Sequence, residues 1–413
     1  MISYSKAISL INNNSIILPT KKIPIEKALH KVCAEDVLST SKYPSSNNSA
    51  FDGFALVSKE TKGLNSKKTK KFKLIKTIAA GDKPTINNYR KNSAVEIMTG
   101  ALIPKKFDTI LPVENAKYFP SKEKATHIIV DKEVKKYSYV RFAGEDYKLK
   151  DTVLKKGEVI KANHLMTFAT LGIKEVPVKK IPKIIIFGTG NEIVDYRIKG
   201  IPPWKVRNSN NLYFYSFGKS LNLEVIDGGI IKDNEPSKLK KALEKTILSD
   251  IDLFVTSGAV SAGKFDFIPK FMKDLGFQNQ FKGVKIKPGK PIMFSKYKKK
   301  LFFGLPGNPI SLVVGFRFFI YPLVRNILGM KKEKIFIAKL LNKYSKKKDF
   351  THFLRCSMTV TNKGFCELKI LKGQQSNKLK ALTEANCWGI FEKGKTKYKR
   401  GDFVKCLPLV PSS

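Results

Sequence analysis

At 413 residues, 42% of them hydrophobic and 27% charged, the chain is too long for one ordinary core and too apolar to be disordered. Five cysteines without a C-x-x-C pair, and four isolated histidines, exclude a disulfide framework and a zinc knuckle and fit a reducing compartment. The formal charge of +44 is not a nucleic-acid signature: only eight of the 78 basic residues are Arg, the lysines are scattered from end to end, and no zinc finger, RNP signature or basic helical stripe occurs.

The N-terminus, MISYSKAISLINNN, lacks a basic region followed by a long apolar core, so it does not read as a signal peptide. Residues 1–42 are predicted mostly helical, first over 4–12 and then over 24–37, where Ile25, Ala28, Leu29 and Val32 share one face. Residues 43–139 change character. Short β-rich runs (51–57, 72–78, 109–113 and 127–134) alternate with turn residues, and the Lys-rich stretch 62–71 reads as a solvated loop. Residues 139–178 return to helix and turn, with LMTFATLGI as an apolar helix ended by Gly172. The helical segments on either side of the β-rich run must pack together to bury their apolar faces. The expectation is therefore a helical/mixed domain from 1–42 plus 140–178, with 43–139 as an inserted β lobe.

From Lys183 the pattern is plainly α/β. The strand KIIIF runs into GTGNE, a helix follows over 210–221, and EVIDGGIIKD comes next. A helix over 235–248 leads to DLFVT and SGAVSAG, and LFFGL runs into PGNP. Strands alternating with helices of this length call for a doubly wound parallel sheet over 179–330. The apolar run 310–324 is interrupted by Arg317 and Pro322 and is shorter than the roughly 20 residues of a membrane span, so it reads as a buried helix. Runs such as HFLRCSMTV and DFVKCLPL give a small C-terminal β domain over 331–413. The chain reads as a cytoplasmic protein with no membrane partner and no specific nucleic-acid partner, its charge steering anionic ligands inward.

Three buried strands end in Gly-rich turns that open helices: Gly188, Thr189 and Gly190; Ser257 and Gly258; and Gly304 to Asn308. Ligands of open α/β sheets bind at the carboxyl ends of the strands, and backbone N–H groups at helix starts suit phosphate. In GLPGNP, Asn308 is a candidate N-cap and Pro309 a candidate first helical residue, with Pro306 and Gly307 where an anion would approach. Ser261 and Gly263 of the second turn complete the candidate binding set. GAVSAGKF resembles a phosphate loop but has Phe265 where a magnesium-binding hydroxyl is needed, which argues against an NTPase.

Carboxylates crowd the same edge: Glu192, Asp233 and Asp266. Beside a phosphate site they would repel the ligand unless a hard cation lies between, and magnesium is the usual one. Asp266 could equally cap a helix and Asp233 start one. Lys287 and Lys290, in IKPGKPIMF, bracket a Pro-Gly turn that presents two ammoniums together.

With these residues in place the sequence resembles the molybdopterin molybdenumtransferase family, the MoeA type related to the E domain of gephyrin. The resemblance is collinear through SAFDGFAL, AAGD, EIMTGALIP, TILPVENA, RFAGEDY, KIIIFGTGNEIV, RNSNN, TSGAVSAGKFDF, KIKPGKPIMF, GLPGNPIS and GQQSNKL. It implies a homodimer whose cleft lies between the α/β molybdopterin-binding domain of one subunit and the β lobe of the other. The implied reaction inserts molybdenum from molybdate into adenylylated molybdopterin with Mg2+, releasing AMP. Molybdopterin adenylyltransferase and cofactor-delivery proteins are implied partners. By motif, Asp52 and Thr99 would come from the β lobe, and Glu192, Asp233, Asp266, Lys287 and Lys290 from the α/β domain. Glu145 and Asp146 match a further acidic motif. Asn208 stands where the family often has Asp and Ala259 where it often has Gly. A non-catalytic scaffold of the same fold would not need clustered carboxylates, and the β-lobe motifs speak against an enzyme acting on another pterin or nucleotide.

Overall fold

The strand Lys183–Thr189 sends Ile184 and Ile186 into one core with Phe214, Leu253 and Val255, and Phe187 into a second core with Leu239, Leu243 and Phe254. A strand buried on both faces is apolar without interruption, which explains KIIIF. The computed structural model describes residues 1–260 and 268–411, so Ser261, Gly263 and Asp266 lie outside the described residues. Its central sheet has six strands in the order Glu224–Ile231, Lys183–Thr189, Leu253–Ser257, Lys300–Leu305, Met293–Tyr297, Gln278–Lys282. The first four are parallel, and Met293–Tyr297 runs antiparallel to both of its neighbours, Lys300–Leu305 and Gln278–Lys282. The sheet is therefore mixed rather than wholly parallel. Only Lys298 and Lys299 separate two of its strands, too few for a crossover, and Lys298 at φ 50 makes the hairpin turn.

Helices cover both faces of this sheet. Ser209–Ser220 and the 19-residue helix Pro309–Ile327 lie on the first, and Pro236–Leu248 on the second. By length and composition Pro309–Ile327 could cross a bilayer, but 83% of its apolar window is buried inside the protein. Its middle, Phe316–Ile320, is a π turn in which Tyr321 N–H reaches back to the Phe316 carbonyl. Pro322 has no N–H to give the Phe318 carbonyl, and the Tyr4 hydroxyl donates to that carbonyl instead at 3.3 Å. The buried Arg317 guanidinium holds both oxygens of Glu333, at 2.9 and 2.7 Å.

The helix Tyr4–Asn13, capped by the Ser3 hydroxyl, forms as predicted, but it packs on the α/β domain: Ala7 and Ile11 join that core, and the Tyr4 ring meets Phe319 and Phe353 edge-on. The second predicted helix, 24–37, does not form. Only Ile25–Lys27 makes a single 3-10 turn, and His30 at φ 63 leaves the helical path. Its apolar residues other than Leu29, which is exposed, are covered by strand pairing instead. Thr20–Pro24 runs antiparallel to Glu175–Lys179, Val37–Leu38 to Thr152–Leu154, and Asn48–Ser49 to Val140–Arg141. Ala28, Cys33 and Val37 share one core with Ile160, Phe168 and Val176, where the helix Ala162–Thr170 packs.

Between the paired segments lies a six-stranded sheet, in the order Thr109–Pro112, Gly53–Leu56, Ser93–Ile97, Lys70–Ile78, His127–Val130, Lys117–Phe119. The strand Ser93–Ile97 was not legible as one, because SAVEI is short and merges with the turn that follows. The C-terminal strands close into a barrel: Thr351–Val360 pairs with both Cys366–Ile370 and Cys387–Phe391, with Phe336–Leu340 and Phe403–Pro408 completing the circuit. Ile286–Lys287 of the α/β domain adds to the barrel edge in parallel with Thr351 and His352.

Candidate functional site

The three glycine turns meet at one edge of the central sheet and are tied to each other. Thr189 donates its hydroxyl to the Ser257 carbonyl at 3.2 Å, and Gly258 N–H reaches the Leu305 carbonyl at 2.9 Å. The Asn210 amide bridges the second and third turns, donating to the Ser257 hydroxyl and the Gly307 carbonyl, both at 2.7 Å. Gly258 has φ +112, and a Cβ there would lie 2.5 Å from the Thr189 hydroxyl oxygen. Only glycine allows the two turns this approach.

Above the turns is a groove of ≈ 840 Å³. Gly188, Thr189, Gly190, Glu192, Asp233, Ser257, Gly258, Gly307, Asn308 and Pro309 all line it, whereas the predicted Pro306 is buried and does not. The structure thus brings together the predicted turn residues and two of the three predicted carboxylates. The third, Asp266, belongs to the segment outside the described residues. Asn308 occupies the N-cap position and Pro309 opens the helix, but the Asn308 side chain makes no capping bond and is left to the groove. Asn208 caps the helix Ser209–Ser220 by accepting from the Asn211 N–H at 3.2 Å. An uncharged amide does that as well as an Asp would.

The Asn191–Glu192 loop is held by ammoniums. Lys205 donates to the Asn191 carbonyl at 2.8 Å, and Lys232 donates to the Ile193 carbonyl. The Glu192 carboxylate lies back over Gly190, 2.7 Å from where a Cβ of that residue would stand. Among the described residues no three His, Cys, Asp or Glu side chains form a complete metal cage. Glu192 and Asp233 both line the groove, and two carboxylates could serve a hard cation that completes its shell with water and ligand phosphate.

Lys287 and Lys290 line a second groove of ≈ 660 Å³, shared with Tyr344, Lys346 and His352 of the barrel. The first turn of the helix Pro309–Ile327 stands between the grooves: Pro309 walls the first, and the Ser311 carbonyl is 3.6 Å from a Cβ built on Gly289. His352 bonds the Tyr344 hydroxyl through Nδ1 at 2.6 Å. Burial, with the Lys346 and Lys287 ammoniums nearby, holds its imidazole down to about 4. The second groove is therefore cationic, and its histidine is neutral at neutral pH.

Asp52 and Thr99 line neither groove. They pair with each other on the β lobe, where Asp52 Oδ1 accepts from both the backbone N–H and the hydroxyl of Thr99 at 2.7 Å. These two donors hold the exposed carboxyl below the usual Asp range. Glu145 closes a local turn by accepting from Phe142 N–H at 2.8 Å, and Asp146 N–H donates to the Tyr43 carbonyl.

Sequence reasoning passed over Asn210, Lys205 and the wall residues Asn377 and Leu379. RNSNN carried a signal for Asn210, since an amide one residue into a helix beside a glycine turn has carbonyls within reach. Asn377 falls within GQQSNKL, which carried the resemblance but no site role, and it comes to the groove because Ile310 N–H binds the Ser376 carbonyl at 3.2 Å.

Comparison with known proteins bears on the whole chain. Residues 2–172 match the MoeA N-terminal region (domain I and II), 185–326 a probable molybdopterin binding domain, and 338–409 the MoeA C-terminal region (domain IV). A molybdopterin molybdenumtransferase of Staphylococcus aureus is 31% identical over 415 residues, covering 98% of this chain and 95% of that protein. The chain belongs to the molybdopterin molybdenumtransferase family. A Staphylococcus epidermidis molybdopterin molybdenumtransferase is 30% identical over the same share of each chain. The crystal structure of the molybdopterin biosynthesis MoeA protein from Pyrococcus horikosii superposes with a TM-score of 0.84 at 25% identity, covering 100% of both chains. Within this molybdopterin molybdenumtransferase fold the three glycine turns belong to the segment matched as the probable molybdopterin binding domain, while Asn377 and Leu379 of the groove wall come from the segment matched as the MoeA C-terminal region.

Proposed function

We propose that this chain is a transferase of molybdenum cofactor biosynthesis that inserts molybdenum from molybdate into adenylylated molybdopterin and releases AMP. The observation that carries the reading is the groove itself: three glycine turns held edge to edge by Asn210, with Glu192 and Asp233 on the wall. Such a floor offers backbone N–H groups to phosphates, and the wall offers carboxylate oxygens to a cation.

Magnesium fits this donor set, and Glu192 and Asp233, joined by Asp266, would hold it. When bound it supplies positive charge against the phosphates of the adenylate, so that the charge left on AMP is neutralised. The turns orient the phosphates, and Asn210 keeps the turns in register. Lys287 and Lys290 present two ammoniums suited to an oxyanion such as molybdate. Asp52 and Thr99 stand apart from both grooves of their own chain, which supports a homodimer in which each β lobe completes the partner's cleft. A protein of this kind works in the cytoplasm, on substrate made by an adenylyltransferase, and passes its product to cofactor-delivery proteins.

The test is direct. Pure protein incubated with adenylylated molybdopterin, molybdate and magnesium should release AMP, and leaving out molybdate or magnesium should abolish the release. AMP release indifferent to both, or none with all components present, would refute the reading.

A further inference from the structure

The segment between Val194 and Val206 is an excursion from the sheet edge whose ends are clamped. Ile193–Val194 pairs with Val206–Arg207, and the Arg207 guanidinium donates to the Ile198 carbonyl at 3.1 Å. At the far end Lys205 N–H donates to the Pro202 carbonyl at 2.9 Å, which closes a turn around Pro203 and Trp204. Pro202 and Pro203 fix two successive φ angles, so the turn is pre-organised. Its apex is Trp204, 72% exposed.

Trp204 lies in the chain between Ile201 and Lys205, which both line the glycine-turn groove, and its own side chain is outside that lining and open to solvent. Val206 and Leu379, also wall residues and each about half exposed, add apolar surface to the groove beside Lys205 and Arg207. The chain has two tryptophans, and the other, Trp388, is wholly buried. A rigidly presented, exposed indole above a phosphate-binding floor has the form of a stacking platform.

We propose that Trp204 is a positioning residue that stacks on the planar fused heterocycle of the ligand whose phosphates rest on the glycine turns. The inference rests on the reading of the groove given above and deepens it. Adenine and pterin share the needed chemistry, a flat ring system with a π face. Stacking of this kind contributes roughly ten- to a hundred-fold in affinity.

The two tryptophans make the test spectroscopic. Trp388 emits from an apolar core, so the solvent-exposed component of the emission belongs to Trp204. The full-length protein is titrated with AMP, with 6-hydroxymethylpterin and with inorganic phosphate. AMP or the pterin should quench the Trp204 component, and whichever does so identifies the ring that is taken; inorganic phosphate should leave the emission unchanged. By calorimetry, Trp204→Phe should hold that heterocycle within about threefold of wild type, and Trp204→Ala should weaken it by about tenfold or more. In turnover, Trp204→Ala should raise KM and leave kcat in place. Three results would each overturn the inference: heterocycle binding with silent Trp204 emission, failure of both heterocycles to bind, or emission that shifts only on subunit dissociation, which would give Trp204 to the dimer interface. Normal AMP release beside a silent Trp204 sinks this inference alone. Quenching beside absent AMP release sinks the reaction instead.

Discussion

Asn210 donates to the Gly307 carbonyl at 2.7 Å across 97 residues of sequence, and the same amide reaches Ser257. One side chain therefore sets the spacing of two of the glycine turns. Asn210→Ala should cost about 1–2 kcal/mol of stability, the usual consequence of deserting polar partners. It should also weaken inorganic pyrophosphate. Urea unfolding and calorimetry of the variant read the two effects, and a variant with wild-type pyrophosphate affinity would show that the turns keep register unaided.

The Asp52–Thr99 pair gives a test of the shared cleft. Asp52→Asn and Glu192→Gln should each abolish AMP release when every subunit carries the change. Mixed after dissociation and reassociation, they should recover about a quarter of wild-type activity, because random pairing makes half the dimers mixed and each of those has one intact cleft. No recovery in verified mixed dimers would mean that each subunit works with its own Asp52.

Asp266 has two roles to choose between. As a magnesium ligand facing the adenylate phosphates, Asp266→Asn should slow AMP release by about a hundred- to a thousand-fold. As a helix cap, it should change stability by only a few tenths of a kcal/mol, since Asn caps about as well as Asp. Single-turnover AMP release with a magnesium titration separates the two.

Ala259 holds φ +50, in the left-handed region where a Cβ is disfavoured. Ala259→Gly should relieve that strain, and after the added freedom of the unfolded chain is offset the net gain should be about 0.5–1 kcal/mol. A raised urea midpoint at constant slope would register it. A lowered midpoint would mean that the Ala259 methyl packs better than its backbone suffers.

His352 predicts a pH dependence. Its imidazole is held at about 4 in the folded protein against 6.5 in an open chain. Between those values the unfolded chain binds the extra proton. The stability this histidine contributes is thus full above about pH 6.5 and is lost as pH falls toward 4, about 3 kcal/mol in all by linkage. His352→Gln should flatten that part of the profile. Denaturation of both proteins at pH 4 to 8 gives the difference, and parallel profiles would exclude the histidine as its source.

What was legible in the sequence followed from local causes. KIIIF, DLFVT and LFFGL announce strands covered on both faces, and each reaches a glycine within two residues, so the groove floor could be drawn in advance. Residues 24–37 misled because Ile25, Ala28, Leu29 and Val32 have helical spacing, yet Leu29 is left exposed, and Ile25 and Ala28 are covered by partners at 154–178, more than a hundred residues away. The separation of Lys287 and Lys290 from the carboxylates was invisible for a similar reason: the strand Ile286–Lys287 is drawn to the barrel edge by Thr351 and His352. Asn377 reaches the groove only through the packing of its loop on the helix start.

The pairing of Ser49 with Val140 bears on the order in which the molecule assembles. Left to chance, bringing these residues together would require closing a loop of about 90 residues before any ladder bond could offset the lost entropy. The β lobe between them has cores of its own, built on residues such as Phe54, Phe72 and Ile110. As the lobe folds it delivers its two ends side by side, and the ladders from Asn48 back to Thr20 then close like a zip, one short pairing after another. A nascent chain can therefore finish the lobe soon after residue 139 has emerged and complete these three pairings by 179, before most of the α/β sheet has been made. The lobe acts as the template on which its own support is joined.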